Sequence, residues 1–310
     1  MPAIIKTSVM LGFRCNNNCR FCLSRHKDKT VKPLSTESVR EEIRLAAKRG
    51  STFIDFLGGE PTLRKDLPEL ISFARDNGFE LISITTNGRM LSNRDYTEKL
   101  VKAGLNSVIF SIHGHNAELH DYLTRVKGSY DQCVQGVKNF KELIGEPRQP
   151  NTIATNTVMV RPNLKFLPKI AEHNIALGST NLEFIFPDPK GNCWDNFEEL
   201  VPRLPELIEP IRGIIKAGER HHIKHCVVRY LPLCYMYGYF NHLSEYISRD
   251  HLREQHIGPD VINLEVEKGR MEVGRVKGPQ CAGCKRSPDC EGIFKEYVLK
   301  RGFEDLVPMP

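Results

Sequence analysis

The 310-residue chain has no apolar run approaching the roughly 20 residues needed to cross a bilayer, and so carries no sign of a membrane span. It also lacks a basic-then-apolar leader. Its N-terminus reads as a short strand leading directly into a cysteine motif, where no secretory signal fits. Internal repeats and low-complexity stretches are missing, which excludes a solenoid or a biased tail. Strong charge of one sign is missing too. The 44 Lys and Arg against 38 Asp and Glu leave +6 spread along the chain. That permits an anionic substrate and makes no case for nucleic acid. Trp occurs once, and the nine Tyr follow no pattern.

Cysteine, by contrast, is plentiful, at ten residues. Without a secretory signal, ten thiols point to a reducing cytoplasm and to metal ligation in place of disulfides. Cys15, Cys19 and Cys22 stand at C-x-x-x-C-x-x-C spacing at the end of the first predicted strand. At this composition, chance supplies about 0.01 such triplets. Three thiolates can hold three irons of a four-iron cluster and leave the fourth open to a small molecule, whereas a fully ligated cluster only stores or relays electrons. Buried packing thiols and a zinc site, with His26 as a fourth ligand, are the alternatives.

Cys15 to Cys22, with Phe21 before the last cysteine, resembles the signature of radical S-adenosylmethionine (SAM) enzymes. The resemblance implies a [4Fe-4S] cluster whose open iron binds SAM. It further implies reductive cleavage to a 5′-deoxyadenosyl radical that abstracts hydrogen from substrate, and an electron supplied by a flavodoxin- or ferredoxin-type partner.

The rest of the chain alternates strand and helix. Strands are predicted at Thr7–Phe13, Thr52–Leu57, Leu81–Thr85, Ser107–Ile112, Thr152–Val160 and Asn181–Phe186. Helices follow at Ser35–Arg49, Leu67–Asn77, Tyr96–Ala103, Tyr130–Leu143, Leu164–Leu177 and Leu204–Ala217. Ser35 is an N-cap, and Gly50, Gly78, Gly104, Gly178 and Gly218 are stops. Six strand–helix units in a row imply an α/β fold of parallel strands with helices outside. They are too few for a closed eight-fold barrel, so a partial (βα)6 TIM-like barrel is expected, which is also the core fold of the family. A doubly wound sheet is the second choice. The barrel is expected over residues 1–218, with a small C-terminal iron–sulfur (twitch-like) domain over 219–310. Within that segment Ile223–Leu231 reads as one more strand, Val261–Val276 as a β-hairpin turning at Glu267-Lys268-Gly269-Arg270, and Gly292–Lys300 as a short helix.

Gly58-Gly59-Glu60-Pro61 follows the second strand and so faces the same barrel mouth as the cysteine loop. Its glycines admit close backbone approach, and Glu60 can accept from an ammonium group. An ordinary tight turn is the plain alternative. The segment is similar to the family's G-G-E motif, which implies a hold on the amino group of SAM. Thr86 and Asn87 end the third strand, Ser111 and His113 the fourth, and Asn156 lies on the fifth. Similar positions in the family hydrogen-bond the ribose or carboxylate of SAM, and Arg125 stands where the family often places a base for that carboxylate.

Cys281, Cys284 and Cys290 form a second constellation. It resembles the C-terminal segment of the SPASM and twitch subfamilies, except that position 294 is Phe and Cys290 is the last cysteine. The resemblance thus implies one auxiliary [4Fe-4S] cluster, its fourth ligand being Cys234, or Cys226 as second choice. A zinc knob is the alternative. Cys193 lies at the predicted mouth, and with Cys226 it is a candidate hydrogen donor to a substrate radical. Cys133 reads as core. The first cysteine at position 15 leaves no room for an N-terminal peptide-binding domain, which favours a small polar substrate over a ribosomal peptide. The reaction is an oxidation, an epimerisation or a bond formation. A non-catalytic iron–sulfur electron carrier is the alternative of another class.

Overall fold

Residues 4–145, 153–249 and 251–309 are described by a computed structural model. In chain order the elements are β1 (Ile4–Met10), α1 (Thr36–Lys48), β2 (Phe53–Leu57), α2 (Leu67–Asp76), β3 (Leu81–Thr86), α3 (Arg94–Ala103), β4 (Ser107–Ser111), α4 (Ala117–Thr124), α5 (Ser129–Ile144), β5 (Ile153–Val158), α6 (Leu167–Ala176) and β6 (Asn181–Ile185). They continue with α7 (Asn192–Asp195), α8 (Phe197–Leu200), α9 (Ile208–Arg220), β7 (His225–Arg229), α10 (Ser244–Ser248), β8 (Leu252–Ile257), β9 (Ile262–Asn263), α11 (Val266–Gly269), β10 (Arg275–Val276), β11 (Ile293–Phe294) and α12 (Lys295–Arg301).

Local chemistry accounts for the alternation. Ser35 accepts from Ser38 N–H at 3.1 Å and opens α1, which buries Val39, Ile43 and Ala46. Strands β1 to β4 alternate in the same way. Val9, Ile54, Phe56, Ile82, Ile84, Val108 and Phe110 face α1, α2, α3 and α5 in one apolar core. A second core joins β5, β6 and β7 to α6, α8 and α9, and extends into the C-terminal segment through Phe294, Tyr297 and Leu306.

The result is an α/β barrel with an open seam. The sheet runs β7-β6-β5-β4-β3-β2-β1-β8-β9, parallel from β7 to β8, with β9 antiparallel at the edge. The six expected strands are all present, with ends that coincide with the expected ones or lie within three residues of them. Thr152 lies outside the described residues. The sheet also crosses the expected boundary at 218/219, since β7 pairs with β6 and β8 pairs with β1.

One expectation is corrected. Val261–Val276 is no hairpin. Glu267 to Gly269 lie in α11, β9 turns back onto β8, and β10 pairs with β11. Strand β8 and helix α4 were not expected at all. No described helix is long and apolar enough to cross a membrane.

Candidate active site

The ends of β1, β2, β3 and β4 converge on the cysteine loop. Cys15, Cys19 and Cys22 are half-buried, and none is in a disulfide. Burial first, and then the Glu60 carboxylate and Cys22, push Cys15 up to about 11. Burial and the other two thiols raise Cys19 as well. Thiolates formed at Cys15 and Cys19 in this low-dielectric loop would call for a cationic partner. Asn17 N–H donates to Cys15 Sγ at 3.3 Å, and Asn87 Nδ2 lies 3.9 Å from it. Among the described residues, no three His, Cys, Asp or Glu side chains converge on one point that would hold a single metal ion.

The Gly58-Gly59-Glu60 turn is locked against this loop. Gly59 N–H donates to Gly12 O and Glu60 N–H to Arg14 O, both at 2.8 Å. A Cβ on Gly58 would meet Gly12 O at 2.3 Å, and its φ of +135° favours glycine besides. Glu60 is buried, and its pKa is raised by that burial. Its Oε1 accepts from Thr62 N, Thr62 Oγ1 and Thr86 Oγ1 at 3.1, 2.5 and 2.6 Å, while Oε2 accepts from Asn87 N at 2.8 Å. Oε1 takes three donors and Oε2 only one, so Oε2 keeps acceptor capacity. Glu60 thus braces the turn and ties Thr86 and Asn87 to it.

His113 sits behind the same loop. It is buried, its Nδ1 accepts from Val158 N–H at 3.3 Å, and its ring meets Phe21 edge-on at 4.6 Å. It supports the cysteine loop from behind. Its own N–H donates to His120 Nδ1 at 3.3 Å. Burial holds His120 at about 4 and His113 well below 6.5, so both are neutral in the folded chain. The unfolded chain binds those protons near pH 6.5 and the folded chain does not. Stability from this pair is therefore complete above about pH 6.5 and is lost as pH falls towards 4. The expected slope is up to about 1.4 kcal/mol per pH unit for each His. Urea unfolding between pH 7 and pH 5 measures it, and His120→Asn removes one share of the slope.

Ser111 and Asn156 lie opposite each other in register and continue to Glu183, all on the face turned away from the helices. A second polar row crosses the lumen at His256, Ser8, Asp55, Ser83 and Ser107. Sequence reading missed this lumen, although its alternation of polar with apolar residues was available. Arg125 is exposed in a left-handed conformation (φ 57°). The residues before it anchor the cysteine loop, as Thr124 O accepts from Asn18 N–H and Leu123 O from Arg20 N–H.

Cys234, Cys281, Cys284 and Cys290 line one cavity with Pro232 and Met309. Main-chain N–H groups of Leu233 and Gly292 point at Cys290 Sγ at 3.5 and 3.4 Å, and that of Met309 at Cys284 Sγ at 3.3 Å. Burial and then Cys290 and Cys281 push Cys234 up to about 11. Cys226 is elsewhere. It packs on α9 with its thiol 3.6 Å from Ile214 O, on the helix side of β7. Cys193 is fully buried in the same apolar core. Neither thiol faces the lumen, which corrects their expected role as hydrogen donors. Cys133 is core, as expected.

An open parallel barrel with three clustered thiols beside a Gly-Gly-Glu turn at its mouth defines an enzyme built around an iron–sulfur centre. The chain belongs to the radical SAM superfamily: residues 9–173 match that family, which works with a [4Fe-4S] cluster and SAM. Over 216 residues it is 33% identical to a probable GTP 3′,8-cyclase of Metallosphaera sedula, covering 69% of this chain and 66% of that protein. Over 208 residues it is 32% identical to the PqqA peptide cyclase of Bradyrhizobium diazoefficiens, covering 67% and 53%. The matches thus span two thirds or less of these relatives' length. In fold it is similar to Streptococcus suis SuiB bound to precursor peptide SuiA, with a TM-score of 0.68 over 100% of this chain and 76% of that one, at 15% identity.

Proposed function

We propose that this chain oxidises a small polar substrate held in the barrel lumen, using two iron–sulfur sites. Cys15, Cys19 and Cys22 would hold the first [4Fe-4S] cluster, and Cys234, Cys281, Cys284 and Cys290 an auxiliary one. Bound there with SAM, the first cluster supplies a carbon radical able to remove a hydrogen atom from substrate. Gly58 and Gly59 bring main chain close to the amino end of SAM, in a turn that Glu60 keeps rigid. Ser111 and Asn156 offer hydrogen bonds at the mouth, and Arg125, which has no ion pair among the described residues, offers a cation beside the cysteine loop for a carboxylate. The reductant would meet the surface carrying Arg25, Lys29 and Lys32 beside that loop.

The observation that carries this reading is the meeting of four thiols at one cavity, with N–H donors aimed at their sulfurs. Four ligands saturate a cluster and suit it to electron relay, and hence to net oxidation. The polar rows of the lumen suit a polar substrate. Residues 219–310 would contribute the auxiliary site as a twitch-like domain. Modification of a peptide is the second reading, favoured by the likeness to SuiB over the whole chain.

Anaerobic incubation of reconstituted protein with SAM and dithionite tests the proposal. 5′-Deoxyadenosine is expected, and its yield should rise with the right substrate class. GTP, nucleotide sugars and short peptides are the three arms. Cys290→Ser should lower iron from about eight to about four per chain while the first cluster still responds to SAM. Iron analysis with EPR of the reduced protein checks this. An unchanged iron content would remove the second site from the proposal.

A further inference from the structure

A circuit of buried ion pairs runs between the barrel and the second thiol cavity. Arg229, at the end of β7, donates to Glu254 of β8 at 2.7 Å and stands 3.5 Å from Glu183 of β6. Arg270 lies 3.4 Å from the same Glu254 and 3.0 Å from Glu291. Arg275 of β10 reaches Glu291 at 3.2 Å and Glu245 at 3.6 Å. Glu245 then accepts from Tyr230 N–H at 2.7 Å, which returns the path to the neighbour of Arg229. The Tyr230 ring lies against both Arg229 and Arg275, at 5.1 and 5.0 Å. None of the seven charged side chains is more than 18% exposed.

Two features give this circuit a role. Strand β7 is one edge of the sheet and β8 lies beside the short edge strand β9 at the other, with no ladder between β7 and β8 among the described residues, so Arg229 and Glu254 span the gap by side chain. Glu291 directly follows Cys290, and Gly292 N–H donates to the Cys290 sulfur. A displacement at the seam therefore reaches the thiol cavity through Arg270 and Glu291. Apolar residues of similar volume would stabilise such a site equally well or better. What paired guanidinium and carboxylate planes add is fixed distance and angle.

We propose that this circuit sets the position of the auxiliary site relative to the barrel mouth, with Glu254 as a positioning residue shared by the seam and the cavity. The inference rests on reading Cys234, Cys281, Cys284 and Cys290 as ligands of a cluster.

The test uses the full-length chain, reconstituted anaerobically. Iron release to bathophenanthroline is followed together with the EPR spectrum of the reduced protein. Wild type is compared with Glu254→Gln and with Glu209→Gln, whose pair with Arg212 is exposed. Glu254→Gln should speed second-site release about tenfold and broaden the second-site signal, because one buried charge loses its partner. The SAM-induced change at the first site and the whole Glu209→Gln profile should match wild type. Arg270→Lys keeps the charge without the planar fork, and gives the same comparison if Glu254→Gln does not fold. Release within about twofold of wild type and an unaltered spectrum would overturn the positioning role. A wild-type chain that takes up only about four irons would overturn the cluster assignment itself, and the positioning role with it.

Discussion

Cys19→Ala is expected to abolish SAM cleavage while leaving the fold and the second iron site in place. Cys19 sits at the centre of its motif, and its thiol is raised by burial and by both neighbouring thiols. Removing it leaves two thiols for a cluster that needs three. Loss of a hydrogen-bonding partner behind a metal ligand costs about 10–100-fold, and loss of the ligand itself should exceed that. 5′-Deoxyadenosine should fall more than about 100-fold, with iron near four per chain. Circular dichroism should be unchanged, because the loop is anchored by Asn18 and Arg20 on the Leu123–Thr124 carbonyls and not by this thiol. A variant that keeps the SAM-responsive EPR signal would refute the ligand assignment.

Gly59→Ala is expected to be strongly damaging although it adds a single methyl group. A Cβ there would lie 2.2 Å from Arg14 O and 2.5 Å from Phe13 C. These are main-chain atoms held by the 2.8 Å bonds between the Gly58–Glu60 turn and the cysteine loop, so no side chain can move to make room. Overpacking of this kind costs about 1–3 kcal/mol or more. At about 2–4 °C per kcal/mol for a large domain, the melting point should fall by roughly 5–10 °C. SAM binding should weaken further, because the two segments that frame it are pushed apart. Gly274→Ala is the matched control, with nothing within 4 Å of its added Cβ, and should lie within about 0.5 kcal/mol of wild type. Thermal melts of the two variants side by side separate crowding from the general cost of losing a glycine.

Much of this molecule was legible in its sequence, because helix stops and apolar periods recur with little interference. Ser35 caps, Gly104 stops, and the helix-facing residues of β1 to β4 form the core that the pattern implied. What escaped was polar. Strand β8 is Leu-Arg-Glu-Gln-His-Ile, and its Glu254 and Arg229 meet across the seam. Charge is what a sequence pattern reads as loop, so the strand gave no signal. The opposite error occurred at Val261–Val276, where scattered apolar residues suggested a hairpin although Ile262 and Val273 are exposed. The thiol sites divide in the same way. Spacing drew attention to Cys15, Cys19 and Cys22, and to Cys281, Cys284 and Cys290. Choosing Cys234 over Cys226 depends on which side of β7 a thiol points, and the structure puts Cys226 against α9.

The internal hydrogen bonding of Glu60 has a thermodynamic corollary. Its four donors come from Thr62, Thr86 and Asn87, so the turn acquires its shape during folding and not when an adenosyl ligand arrives. The ordering entropy is already spent when the protein first folds. A nucleoside entering this mouth meets a rigid mould, and its affinity then reports on contact alone.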